Sequence, residues 1–168
     1  AKRLLLLRHA KSSWADESTP DFSRPLSPRG ERDAPEMGRR IALRGIAIDL
    51  IVSSPANRAK RTALYVAAKV SNPQIAYATE LYLASPRALL EAIAAHGGSA
   101  TTLLVVAHNP GLSELANQLV PELGVADLPT AGLVAIDSDA AQWSELASAR
   151  RRLAFYDFPK NVGAPTAR

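Results

Sequence analysis

The feature that most constrains this chain is a set of short, unbroken apolar runs, each followed by polar residues and then a helix-like stretch. The first is Arg3-Leu4-Leu5-Leu6-Leu7-Arg8. A run this short and without alternation suits a strand buried on both faces, as in a parallel sheet covered by helices. Asp49-Leu50-Ile51-Val52-Ser53 and residues 101–107 share this character, and residues 132–136 are a fourth candidate. Ser54-Pro55 reads as an N-cap and first-turn proline opening a helix over 56–70, with Ala63, Val66, Ala67 and Val70 on one apolar face. Ser85-Pro86 and Asn109-Pro110 repeat the signature and open helices over 87–95 and 111–119. A further helix over 27–43 contains Pro35, which is expected to kink or restart it. Strands alternating with helices predict an α/β fold with a mostly parallel central sheet and helices on both faces. Residues 1–160 are expected to form one domain, and residues 161–168, with Gly163 and Pro165, a flexible tail.

In open α/β sheets, ligands bind beyond the carboxyl ends of the strands, where helix N-termini also point. The residues at those ends are Arg8-His9 after the first run, Ser53-Ser54 with nearby Arg58 after the second, and His108-Asn109 after the third. Arg8 and Arg58 carry planar, permanently charged forks that match phosphate oxygens in pairs. A neutral imidazole whose other nitrogen is fixed by a carbonyl can attack phosphorus. A second histidine can donate to an oxygen as charge shifts during transfer. The chain has no cysteine and three histidines. Disulfides, thiolate metal sites and cysteine-nucleophile phosphatase chemistry are therefore excluded, and imidazole chemistry falls to His9, His96 and His108. His96, just before Gly97-Gly98, reads as a polar helix end without a catalytic role.

Leu6-Leu7-Arg8-His9-Ala10-Lys11-Ser12, Ser53-Ser54-Pro55-Ala56-Asn57-Arg58-Ala59-Lys60-Arg61-Thr62-Ala63 and Val105-Val106-Ala107-His108-Asn109-Pro110-Gly111-Leu112 together resemble the three defining motifs of the histidine phosphatase superfamily. Ala10 directly after His9, the elements Arg24-Pro25-Leu26-Ser27 and Arg29-Gly30, and the His-Asn-Pro-Gly sequence resemble its small SixA-type phosphohistidine phosphatases. The resemblance runs from about Arg3 to Ile136. It implies a three-layer α/β/α sandwich of the phosphoglycerate mutase type, with no metal or other cofactor and a covalent phosphohistidine intermediate. By motif, His9 is the nucleophile, Arg8 and Arg58 are the phosphate clamps, and His108 is the second pocket histidine.

The general acid departs from the pattern. One branch of the superfamily has an acidic residue directly after the second histidine, where this chain has Asn109. The other branch takes a Glu from the region of Glu80, which is thus the candidate acid. An alkoxide leaving group normally needs a proton from an enzyme acid, whereas imidazole, with an ordinary pKa near 6.5, can take its proton from solvent. A weak or missing acid therefore favours phosphohistidine on a protein as substrate. The alternatives are a small phosphorylated metabolite such as a sugar phosphate, with Glu80 as acid, and a non-catalytic phosphate-binding or interaction module.

The formal net charge of +4 adds little to this. Arginines cluster at Arg24, Arg29, Arg32, Arg39, Arg40 and Arg44, at Arg58 and Arg61, and at Arg150, Arg151 and Arg152. Glu31, Asp33 and Glu36 interrupt the first group and stacking aromatics are missing, so a solvated mixed-charge helix face is expected rather than a nucleic-acid surface. Asp137-Ser138-Asp139 lacks the later ligand and glycine of a calcium loop. The four-leucine run is shorter than the roughly 7–15 residues of a secretory core, and no window reaches the roughly 18 of a membrane span, so a cytoplasmic protein with no membrane partner is expected.

Overall fold

In the computed structural model, which describes residues 1–162, the first apolar run forms strand β1 (Lys2–Arg8) and its leucines divide between two cores. Successive side chains of a strand point to opposite faces. Leu4 and Leu6 enter one core, and Leu5 and Leu7 the other, all fully buried. The run is continuous because both faces of the strand are covered. Removing any one of these side chains is expected to cost about 2–5 kcal/mol.

The remaining elements are α1 (Pro28–Leu43), β2 (Leu50–Ser53), α2 (Asn57–Lys69), β3 (Gln74–Tyr77), α3 (Pro86–His96), β4 (Thr102–Ala107), α4 (Gly111–Leu119), β5 (Leu133–Ser138) and β6 (Arg151–Asp157). The sheet order is β3-β2-β4-β1-β5-β6. Strands β3, β2, β4 and β1 are mutually parallel, β5 runs against β1, and β6 runs against β5. Helices α1 and α2 supply Met37, Ile41, Ala63 and Val66 to the core under Leu5 and Leu7. Helices α3 and α4 supply Leu89, Ile93, Leu112 and Leu115 to the core under Leu4 and Leu6. The result is a three-layer α/β/α sandwich of the phosphoglycerate mutase type.

Several local expectations change. Helix α1 passes through Pro35 without interruption. The ring removes one donor, while Ala34, Met37 and Ile41 on both sides of it stay anchored in the core. A Cβ on Gly38 would lie 3.0 Å from Val66 Cα, so the helix pair crosses closely there. Helix α2 starts at Asn57 with Ala56 at the cap position and no side-chain cap, so Ser54 is not its N-cap. Ser85 does cap α3, accepting from the Ala88 amide at 3.2 Å.

Two edge strands were not anticipated. Strand β3 is four residues long with its end residues exposed. Strand β6 opens within the arginine cluster at 150–152, and Arg151 donates to the carbonyls of Leu119, Leu146, Ala147 and Ala149 at 2.8–2.9 Å. That guanidinium ties a loop to the sheet edge. In the first cluster, Arg40 is buried and donates to Glu36, Asp157 and the Phe158 and Pro159 carbonyls, fixing the end of β6. Of the expected tail, Asn161 is tied to Asp157 through its side-chain amide, and residues 163–168 lie outside the described residues. No helix among the described residues is long and apolar enough to cross a membrane.

Candidate active site

The carboxyl ends of β1, β2 and β4 deliver Arg8-His9, Ser53-Ser54 and His108 to one rim, and the first turn of α2 adds Arg58. They meet at a pocket of about 230 Å³ whose wall includes Arg8, His9, Ser12, Arg24, Arg58 and His108. The four residues singled out at strand ends are thus brought together. His9, Arg58 and His108 are almost fully buried, and the two imidazole rings lie 5.2 Å apart between centroids.

The ring proton of His9 can be placed from its partners. Nδ1 lies 2.8 Å from the Ala10 carbonyl, which only accepts, so Nδ1 carries the proton and donates. Nε2 then holds a lone pair, and Arg58 Nε donates to it at 3.3 Å. Burial, foremost, lowers the His9 pKa to about 3, helped by His108 and the charges of Arg58 and Arg8 against the opposing pull of the Ala10 carbonyl. The ring is neutral at physiological pH, with its lone pair on the pocket nitrogen.

His108 is held differently. Its Nε2 shares a hydrogen bond of 2.8 Å with the Ser54 hydroxyl, which also accepts from the Ala56 amide at 3.2 Å. Its Nδ1 is buried with no partner in the protein. Burial first, then Arg58, lowers its pKa to about 4. The serine expected to cap α2 instead holds the ring of the second histidine. Arg8 donates through Nη1 to the Leu128 carbonyl at 2.9 Å, and its Nε is buried without a partner. An unused guanidinium donor at a pocket lined by arginines suits an oxyanion.

The motif residues around the pocket hold its shape. Thr62 Oγ1 accepts from the Ala10 amide at 2.9 Å and donates to the Arg58 carbonyl at 2.7 Å, linking the loop after His9 to the start of α2. Ser27 caps α1 and also donates to the Lys11 carbonyl. A Cβ on Gly30 would lie 2.1 Å from that carbonyl oxygen, and one on Gly111 would lie 1.8 Å from the Ala84 oxygen. Both glycines are required by backbone that passes directly over them. Asn109 donates to the Leu128 carbonyl and accepts from the Ser113 hydroxyl at 2.6 Å, which makes it a loop brace.

Glu80 is not brought to the pocket. It sits half-exposed in a short 3-10 turn, with Oε2 2.8 Å from His96 Nε2, and that contact lowers its pKa. None of the described residues lining the pocket is Asp or Glu. Sequence reasoning missed Arg24, Asp21 and Tyr82. Arg24 is buried, donates to Ser12 Oγ and stacks its guanidinium 3.7 Å from the centre of the exposed Trp14 ring. Asp21, in the 3-10 turn Asp21–Ser23, accepts from Arg24, Arg58 and the Tyr82 hydroxyl. Arg24-Pro25-Leu26-Ser27 was visible as a motif, but nothing local marked its first residue as part of the pocket wall.

The family model of the histidine phosphatase superfamily (branch 1) matches residues 4–81. An uncharacterized protein of Mycobacterium tuberculosis is 34% identical over 163 residues, spanning 92% of this chain and 100% of that protein. Among solved structures, the provisionally assigned phosphohistidine phosphatase SixA of Nakamurella multipartitia superimposes with a TM-score of 0.82 at 27% identity, covering 94% of this chain and 96% of that one. Its provisionally assigned counterpart from Agrobacterium tumefaciens gives 0.81 at 29% identity, covering 94% and 98%. With its fold, its motifs and these relatives in agreement, the chain belongs to the histidine phosphatase superfamily, grouping with its SixA-type members, and is a phosphatase.

Proposed function

We propose that this phosphatase removes phosphate from phosphohistidine on a protein, through a phosphohistidine intermediate on His9. The observation that carries the reading is a pocket wall rich in guanidinium groups and free of carboxyl groups among its described residues, with Glu80 held by His96 outside it. In the first step, the Nε2 lone pair of His9 forms a bond to phosphorus as the bond from phosphorus to the substrate imidazole breaks. The substrate ring, protonated from solvent on its other nitrogen, keeps the electron pair and leaves as neutral imidazole. The His9 ring becomes cationic, and its proton stays on Nδ1, donated to the Ala10 carbonyl. In the second step, water attacks phosphorus, His9 Nε2 recovers its lone pair, and one proton passes to solvent. Both steps expel an imidazole, so neither needs an enzyme acid. Arg8, Arg58 and the His108 ring hold the phosphoryl oxygens throughout. Metal ions take no part.

The exposed Trp14 and Leu83 on the pocket wall, with Phe22 beside Tyr82, support a protein rather than a sugar phosphate as the body of the substrate. The test compares kcat/KM for a phosphohistidine peptide and an alkyl phosphate. The peptide should be preferred by at least about 100-fold, Glu80→Gln should change neither rate more than twofold, and an alkaline quench should trap phosphate on His9. Equal turnover of the alkyl phosphate with a large loss in Glu80→Gln would replace this reading by the small-metabolite one.

A further inference from the structure

Asp21 places a fixed carboxylate against the two most buried guanidinium groups of the pocket. Its Oδ1 accepts from Arg24 Nη2 at 3.0 Å and Nε at 3.3 Å, and its Oδ2 from Arg58 Nη2 at 3.1 Å and from the Tyr82 hydroxyl. Its main-chain carbonyl accepts from Arg58 Nη1 at 2.7 Å. Both terminal nitrogens of Arg58 are therefore directed at Asp21, while its Nε is directed at His9. The side chains of Arg24 and Arg58 are only 7% and 4% exposed, whereas that of Asp21 is 45% exposed, so the carboxylate lies on their solvent side. None of these contacts follows from the three motifs, and Asp21 itself does not line the pocket.

We propose that Asp21 is a positioning residue that limits how tightly the pocket holds phosphate, and so sets the rate of product release. Arg8, Lys11, Arg24 and Arg58 line the pocket with four positive charges, and Asp21 reduces the sum to three, closer to the two that balance a phosphate dianion. Without the carboxylate the sum is four, and the terminal N–H groups of Arg24 and Arg58 turned toward Asp21 become available to product oxygens. Unit charges a few ångströms apart at a partly buried site interact by amounts that shift binding tenfold or more. The Tyr82 hydroxyl and the two guanidinium groups hold the Asp21 pKa far below the ordinary carboxylate range, so its charge persists at every working pH. The carboxylate thereby offsets part of the grip that the clamp arginines exert in both steps. The proposal rests on the pocket being the phosphate site of the phosphatase.

The experiment measures inorganic phosphate binding by calorimetry, together with steady-state kinetics on an aryl phosphate, for the wild type, Asp21→Asn and Asp21→Glu. The Asn variant should bind phosphate about tenfold more tightly, with KM and kcat falling together and kcat/KM retained. The Glu variant, which keeps the charge, should stay within about threefold of the wild type. A carboxylate that merely holds its loop predicts the opposite sign, because a loosened Arg58 binds phosphate more weakly and lowers kcat/KM; equal or weaker binding in Asp21→Asn overturns the proposal. Thermal melts confirm that each variant is folded. If Asp21→Asn fails to fold, phosphate binding by Tyr82→Phe decides: loss of one donor to the carboxylate strengthens its hold on the arginines, so phosphate should bind more weakly, and unchanged or tighter binding overturns the proposal. Failure of the wild type to bind phosphate overturns the assignment of the pocket, and this proposal with it.

Discussion

Arg58 donates through Nε to the Nε2 of His9 at 3.3 Å, so the proposed phosphate clamp and the proposed nucleophile are in direct contact. The guanidinium helps to keep the His9 ring neutral and at the same time covers the lone pair that must attack. In the proposed reaction, an arriving phosphoryl group would compete for that guanidinium and free the lone pair where phosphorus is delivered. Lysine has no fork and cannot donate to His9 and phosphate with the same geometry. Arg58→Lys should lower kcat on the order of 100-fold, measured on an aryl phosphate.

The His9 pKa of about 3 has a direct signature. Nitrogen NMR of the imidazole should show Nδ1 protonated, Nε2 unprotonated and no titration between pH 8 and 5, where an ordinary histidine would change state. A transition near 6.5 for His9 would contradict the buried, neutral ring.

The same two histidines make folding sensitive to acid. Their folded pKa values, about 3 for His9 and about 4 for His108, lie below the unfolded value near 6.5. Between these limits the unfolded chain binds more protons, so stability is fully present above pH 6.5 and declines as pH falls toward 4. Urea midpoints recorded from pH 8 to 4.5 should fall in that window, and less steeply in His9→Ala.

Ser54 fixes the orientation of His108 through one hydroxyl. Ser54→Ala should lower kcat by about 10- to 100-fold while leaving the fold intact, since small misplacements at a reacting centre carry costs of that size. A change below twofold would show that His108 does not depend on this hydrogen bond.

Thr62 is the acceptor for the buried Ala10 amide. Thr62→Val keeps the shape of the side chain but strands that donor, which should cost about 1–3 kcal/mol in chemical denaturation. Thr62→Ser retains the hydroxyl and should recover most of the loss.

The parts legible in the sequence were those set by neighbours in the chain. Continuous runs such as the one from Leu4 to Leu7 require cover on both faces, and the residue after such a strand lies at the rim, which singles out His9 and His108. Edge strands escaped because their patterns are ambiguous: β3 is too short, and β6 begins with arginines whose partners are carbonyls from distant loops. Ser54 has the local look of a cap, and only the three-dimensional approach of β4 to β2 gives its hydroxyl to His108. The pairing of Glu80 with His96, and of Asp21 with Arg24 and Arg58, depends on loop positions that no local periodicity encodes.

The reversal of strand β5 brings the segment just before it to the same rim as the ends of β1 and β4, where the Leu128 carbonyl accepts from both Arg8 and Asn109. The support given there comes from main-chain oxygen, which any residue supplies. The Leu128 side chain is buried in the core, and the charge of Asp127 favours the cationic form of Arg8, whereas Ala126 between Val125 and Asp127 is exposed. Substitution at Ala126 therefore leaves the carbonyl support in place, which makes that position a natural target for directed evolution of selectivity.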